Sequence, residues 1–212
     1  MASELAELQA RIRACTRCRD DGILPEVHPV VEGSPRARFF LVGQAPGPRE
    51  GSFGRPFAWT AGRTLFRWFE ESMRVTEEAF RARVYMAAVA RCFPGKAKGG
   101  ADRKPDSEEI GRCRAFLARE VEILRPELVL AVGMLAITEV LGEDVKGKRL
   151  NELVGDAVRT SWLGHDTDVI PLPHPSGASP WHKIEPGLTL LRHALATIKQ
   201  HPAVRASFPA TS

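Results

Sequence analysis

The stretch Arg38-Phe39-Phe40-Leu41-Val42-Gly43-Gln44-Ala45-Pro46-Gly47 decides the fold. Its first half is a continuous apolar run, aromatic and branched, of strand rather than helix length. Continuity, as opposed to alternation with polar residues, marks a strand buried on both faces. Gly and Pro then break the run and form a turn. Three more runs read alike: Val84 to Val89, Leu128 to Val132, and Val169 to Leu172.

Helical patterns lie between these runs. From Ala61 to Met73 the apolar positions Leu65, Phe66, Phe69 and Met73 share one face. A second helix opens at Pro105-Asp106-Ser107-Glu108-Glu109, where Asp106 is placed to cap and Glu109 to reach back as its N3 partner. Ile110, Cys113, Phe116, Leu117, Val121 and Leu124 form its apolar face. A third helix follows Gly133, and a last one spans roughly Gly187 to Gln200. Strands separated by helices require right-handed crossovers, so the expectation is an α/β fold: a mostly parallel four-stranded sheet covered on both faces. One domain is expected over residues 1–201, with 202–212 as a frayed tail. Ligands of such sheets bind beyond the carboxyl ends of the strands. Three segments fall there: Gly43 to Gly47, the loop after Cys92, and His174-Pro175-Ser176.

Composition narrows the function classes. The 212 residues are 43% hydrophobic, which supports a packed core and excludes global disorder. No apolar run reaches the roughly 18 residues of a membrane span. The acidic, helix-like start Met1-Ala2-Ser3-Glu4-Leu5-Ala6-Glu7 lacks the basic and apolar regions of a signal peptide. A cytosolic, reducing location is therefore expected, without structural disulfides. A net charge of +4 allows a polyanionic partner without requiring one. Lys96, Lys98, Arg103 and Lys104 crowd one Gly-rich loop.

The four cysteines in this context read as one metal centre made from Cys15, Cys18, Cys92 and Cys113. The pair Cys15-Thr16-Arg17-Cys18 ends a helix, instead of following a strand and opening a helix as a redox pair does. Four thiolates suit zinc and an iron–sulfur cluster equally, and spacing does not separate them.

Taken in order, Gly43-Gln44-Ala45-Pro46-Gly47, Gly54-Arg55-Pro56-Phe57, Arg91-Cys92-Phe93-Pro94-Gly95, Cys113-Arg114-Ala115-Phe116-Leu117 and His174-Pro175-Ser176 resemble the uracil-DNA glycosylase superfamily. The resemblance is to its iron–sulfur-containing bacterial and archaeal branches, families four and five. It covers Cys15 to about Ser176 and implies a three-layer α/β/α sandwich with an N-terminal cluster-binding helix. It also implies a [4Fe–4S] cluster on the four cysteines, and a monomer acting on DNA in the cytosol. The implied activity is hydrolysis of the N-glycosidic bond of a deaminated base: uracil first, then hypoxanthine or xanthine. Such a base must be flipped out of the stack to be reached. By resemblance, His174 donates to the departing base, Gln44 holds base and water, and Phe57 stacks on the base. Gly43, Ala45, Pro46 and Ala88 line the base pocket.

The sequence departs from both branches at telling positions. The residue after Gln44 is Ala45, where the classical enzymes carry a water-activating Asp. Ala88 stands where family four has an Asn that reads the uracil edge, and Thr60 where family five has an Asp. Glu50 is the nearest acid, and a solvated loop position is expected for it. For DNA contact the candidates are Lys96 and Lys98 on phosphates, Ser176, and Trp181 as the wedge filling the space of a flipped base. Two alternatives accompany the enzyme: a non-catalytic DNA-lesion binder of the same fold, and a hydrolase of free nucleosides.

Overall fold

The computed structural model describes residues 2–177 and 180–209. The chain opens with helices α1 (Ala2–Arg13) and α2 (Arg17–Asp20), then strand β1 (Phe39–Gly43). Helices α3 (Glu50–Phe53), α4 (Thr60–Met73) and α5 (Glu77–Arg83) precede strand β2 (Tyr85–Ala88). Helix α6 (Ser107–Leu124), strand β3 (Leu128–Val132) and helix α7 (Met134–Leu141) follow. Strands β4 (Val158–Trp162) and β5 (His165–Leu172) form a hairpin, and helices α8 (Gly187–Gln200) and α9 (Pro202–Ser207) close the described chain.

The strands form one sheet in the order β2-β1-β3-β5-β4. β1 pairs in parallel with β2 and β3, and β3 with β5. Pleating sends alternate residues of the buried strands to opposite faces. Phe39 and Leu41 join a core with Leu65, Phe69, Phe80, Leu191 and Ile198, under α4, α5 and α8. Phe40 and Val42 join the other core with Leu8, Ile12, Val121 and Ile137, under α1, α6 and α7. This is a three-layer α/β/α arrangement, as the continuous apolar runs require. The expected capping box is present: the Asp106 carboxylate accepts from the Glu109 backbone N–H at 2.9 Å, and Glu109 accepts from that of Asp106 at 2.8 Å.

Two expectations are corrected. The sheet has five strands rather than four, because β4 pairs antiparallel with β5 at the edge. Val158-Arg159-Thr160-Ser161-Trp162 has no apolar run to reveal it; as an edge strand it is mostly solvent-facing, and only Trp162 is buried. Its turn, Leu163-Gly164, puts both residues at positive φ (51° and 80°) without the Asn-Gly or Asp-Gly signal of such hairpins. The segment expected to fray also packs. Pro202 sits in the first turn of α9, Ala203 and Val204 are buried, and Phe208 meets Phe39 edge to face with centroids 6.3 Å apart. Residues 210–212 of that segment lie outside the described residues.

Candidate active site

β1 and β2 end in register, with Gly43 beside Ala88. Strand order reverses next to β1, the place where open α/β sheets form a crevice beyond their carboxyl ends. A cavity of about 570 Å³ lies there, within the size range of small-molecule sites. Gly43, Gln44, Ala45 and Pro46 line it from β1, and Ala88 from β2. Phe57 lines it from the loop before α4, His174 and Ser176 from the segment after β5, and Lys96 from the Lys-rich loop. Sequence positions far apart are thus brought to one cavity. Lys98 and Trp181 are not among its lining residues.

The Phe57 ring lies against Gly43. A Cβ on Gly43 would meet it at 3.1 Å, so glycine there permits the close approach. The Phe57 backbone sits in the left-handed region (φ 53°), which is strained for an aromatic residue. Its carbonyl is pressed so close to α4 that a Cβ on Gly62 would fall 1.7 Å from it. Two charged groups hold this turn. Arg81, buried, donates to the carbonyls of Pro56 and Phe57 at 2.9 and 3.1 Å while pairing with Glu32 and Glu77. Glu50 accepts from the Gly47 N–H at 2.9 Å and from the backbone N–H groups of Phe57 and Ala58.

Glu50 is therefore not the solvated loop acid expected. It is only 8% exposed, and burial raises its pKa despite those three donors. The sequence hides this because the partners are backbone groups. The Gln44 side-chain amide, by contrast, has no hydrogen-bond partner among the described residues, while the backbone carbonyl of Gln44 accepts from the Ala90 N–H at 3.1 Å.

His174 packs on Gly133, where a Cβ would meet its ring at 3.3 Å. The Ser176 backbone N–H donates to His174 Nδ1 at 3.2 Å. An accepting Nδ1 places the proton of the neutral ring on Nε2. Burial lowers the pKa of the imidazole, with a smaller opposing effect of Asp102, so the neutral form with an Nε2–H donor prevails at pH 7. Ala178 and Ser179, next in the loop, lie outside the described residues.

The DNA-contact candidates divide. Lys96 is exposed but pairs with Asp102 at 2.5 Å, closing a hairpin in which the Ala97 N–H donates to the Ala101 carbonyl at 2.8 Å. Lys98 is exposed near its tip and has no ion pair among the described residues. Arg103 anchors the hairpin through both Glu109 oxygens, at 2.7 and 2.8 Å. Trp181 lies close to the first turn of α8 at Gly187, and its indole N–H donates to Asn151 at 2.6 Å. Its ring is committed to the scaffold, which opposes a wedge role.

The four cysteines line a second, small pocket together with Arg17, Arg91 and Arg112. Among the described residues no set of three or more His, Cys, Asp or Glu side chains converges as on a single metal ion. A tetrahedral zinc would draw four sulfurs to within about 2.3 Å of one point. Donor chemistry fits a larger, net-negative thiolate-bound group. Nε and Nη1 of buried Arg91 and Nε of Arg112 have no hydrogen-bond partner among the described residues. Backbone N–H groups of His28 and Arg91 point at Cys92 and Cys113, as suits sulfurs that carry negative charge. Arg91 is fixed from behind by Glu120, which also accepts from the Tyr85 hydroxyl at 2.7 Å.

Comparison with known proteins agrees with this geometry. The family model described as the uracil DNA glycosylase superfamily matches residues 30–198. The chain belongs to that superfamily. A type-4 uracil-DNA glycosylase of Thermotoga maritima is 33% identical over 175 residues, covering 82% of each chain. A type-4 enzyme of Saccharolobus solfataricus is 26% identical, covering 79% of this chain and 73% of its own. A type-5 uracil-DNA glycosylase of Pyrobaculum aerophilum is 29% identical over 138 residues, covering 59% of this chain and 58% of its own. Among the described residues no helix is long and apolar enough to cross a membrane.

Proposed function

We propose that this chain is a monofunctional DNA glycosylase that hydrolyses the N-glycosidic bond of deaminated bases, uracil foremost and hypoxanthine or xanthine in addition. The observation that carries this is the placement of His174 in one cavity with Phe57 and the Gly43 loop: its Nδ1 accepts from the Ser176 N–H, burial lowers its pKa, and its Nε2 has no hydrogen-bond partner among the described residues. In the reaction the C1′–N bond breaks and its electron pair leaves with the base. The Nε2–H of His174 stabilises the negative charge growing on a base carbonyl oxygen, a preorganised donor in a desolvated site. Phe57 stacks on the flipped base, and Gly43, Ala45, Pro46 and Ala88 shape its slot. The Gln44 amide, without a hydrogen-bond partner among the described residues, holds the base edge or the water that adds to C1′.

Among the described residues the two carboxylates that line the cavity are both engaged, Asp102 by Lys96 and Glu50 by backbone groups. Ala45 has no acid, and the Glu50 oxygens are engaged by backbone N–H groups. The chemistry therefore leans on the leaving group: once the sugar is oxocarbenium-like, water adds with little activation and gives up its proton to solvent. Ala88 supplies no amide to select uracil, which supports the wider base range.

Cys15, Cys18, Cys92 and Cys113 would hold a [4Fe–4S] cluster, which would supply a cross-link between α2, the segment after β2, and α6. The charge of Arg91, Arg112 and Arg17 supports such a group. The cluster pocket and the base cavity share no lining residue, so its role is structural.

Oligonucleotides carrying one uracil, hypoxanthine or xanthine, single- and double-stranded, test the proposal. Abasic product from uracil DNA is expected, with His174→Ala reducing it by about 10²–10³. Retained binding with no abasic product at protein excess would instead establish a lesion binder, which the absent acids favour.

A further inference from the structure

Beside the base cavity the surface carries an exposed aromatic pair. Phe53 is 50% and Trp59 38% exposed, although large aromatic rings gain most from burial. Their planes lie within 20° of parallel with centroids 6.1 Å apart. The guanidinium of Arg49 sits 4.3 Å from the Trp59 ring centroid and that of Arg63 5.6 Å from it. Neither arginine has an ion pair among the described residues. Exposed Arg55 lies in the same segment, whose one acid, Glu50, is buried. Arg49 and Trp59 themselves line the cavity, so the patch and the pocket form one surface.

We infer that Phe53, Trp59, Arg49 and Arg63 form a stacking platform for an unpaired base next to the nucleotide held in the cavity, and thus for single-stranded DNA. The inference rests on the proposal that the cavity takes a flipped base. An aromatic face accepts any base, which makes such stacking sequence-tolerant, and the arginines beside it suit the adjoining phosphates. The excess of cations without acids favours a polyanion over an apolar protein surface. A base inside a duplex is already stacked and has no free face to offer, so the platform discriminates between strand states. The turn that presents it is the one held by Glu50 and Arg81, which gives both rings a fixed base.

The test is fluorescence anisotropy of an undamaged, labelled single strand and of the corresponding duplex. Wild type is expected to favour the single strand. Phe53→Ala and Trp59→Ala should each weaken single-strand binding about tenfold, with duplex binding nearly unchanged and Trp59→Phe close to wild type. Thermal melts check folding; should Trp59→Ala be unstable, Phe53→Ala, whose ring is half exposed, carries the comparison. Parallel losses for both DNA forms, or no loss for either, would overturn the platform. Binding needs no excision: a wild type that prefers single strands but forms no abasic product refutes the glycosylase and keeps the platform. One that excises uracil while binding both forms equally does the reverse.

Discussion

The guanidinium of Arg81 donates to the carbonyl oxygen of Phe57 at 3.1 Å, and through it a buried cation holds this cavity-lining aromatic in a left-handed turn. Such strain costs about 1–3 kcal/mol and persists only where the surroundings fix it. Glu50 grips the same turn through its N–H groups and ties it to the Gly43 loop at Gly47. The cation takes carbonyl groups of the turn and the carboxylate takes its N–H groups.

Loosening either grip should blunt the site as well as the fold. Arg81→Lys loses the forked geometry that reaches two carbonyls. A stability loss of about 2 kcal/mol is expected, since its partners Glu32 and Glu77 are partly exposed. Glu50→Ala should cost about 1–3 kcal/mol for each buried N–H left unpaired, and Glu50→Gln less. With Phe57 freed, KM should rise more than kcat falls. Denaturant melts and steady-state kinetics on uracil DNA measure both; unchanged KM in folded Arg81→Lys would refute the positioning role.

His174 sets a pH dependence with a definite sign. Burial lowers its pKa in the folded protein, so the donor-competent neutral ring survives to lower pH than an ordinary imidazole would. The acid limb of kcat should lie below pH 6.5, the ordinary value, and disappear in His174→Asn together with about 10²–10³ of the rate. Stability follows the same group: below pH 6.5 the unfolded chain takes up this proton first. Its contribution is full above that pH and declines as pH falls toward the folded value. Glu50, with a raised pKa, acts in the opposite sense over the window above pH 4.5 where only the folded state holds its proton. An acid limb that persists in His174→Asn would show that another group titrates.

Ala88 should control base choice. It lies at the end of β2, in register with Gly43, and its methyl can neither donate to nor accept from a base edge. Ala88→Asn adds an amide to the cavity wall. Discrimination for uracil over hypoxanthine should rise by about 1–3 kcal/mol, the value of one satisfied buried partner. Competition between the two lesions in one oligonucleotide pool measures it, and an unchanged ratio would place selection elsewhere.

The layers of the fold were legible because β1, β2, β3 and the inner half of β5 are buried on both faces and so spelled out as unbroken apolar runs. β4 was not, since an edge strand needs no such run, and neither was α9, whose burial rests on the small Ala203 and on Val204. The cavity residues Gly43, Gln44, Phe57, Ala88 and His174 were legible from strand-end position and resemblance together. Glu50 and Arg81 were not, because their partners are mostly backbone groups of the loops before and after Phe57, and backbone leaves no mark in the sequence. The bond of Trp181 to Asn151 was likewise not visible in its loop position.

The cysteine pocket leads to the last prediction. Arg91 is 1% exposed, and two of its guanidinium nitrogens lack partners while the third pairs with Glu120. A buried cation with unpaired donors is costly, and a net-negative group held by the four cysteines that line the same pocket would relieve that cost. Purified protein should accordingly be brown and contain iron and sulfide. Cys113→Ser should lose both and fall by about 3 kcal/mol, roughly 6–12 °C in Tm, because α6 is no longer tied to α2 and Cys92. Since no residue lines both pockets, the fraction of Cys113→Ser that stays folded should excise uracil at close to the wild-type kcat. Metal analysis, visible absorption and single-turnover kinetics separate the outcomes. Colourless protein containing zinc would refute the cluster, and a folded, iron-free variant with no kcat would refute its purely structural role.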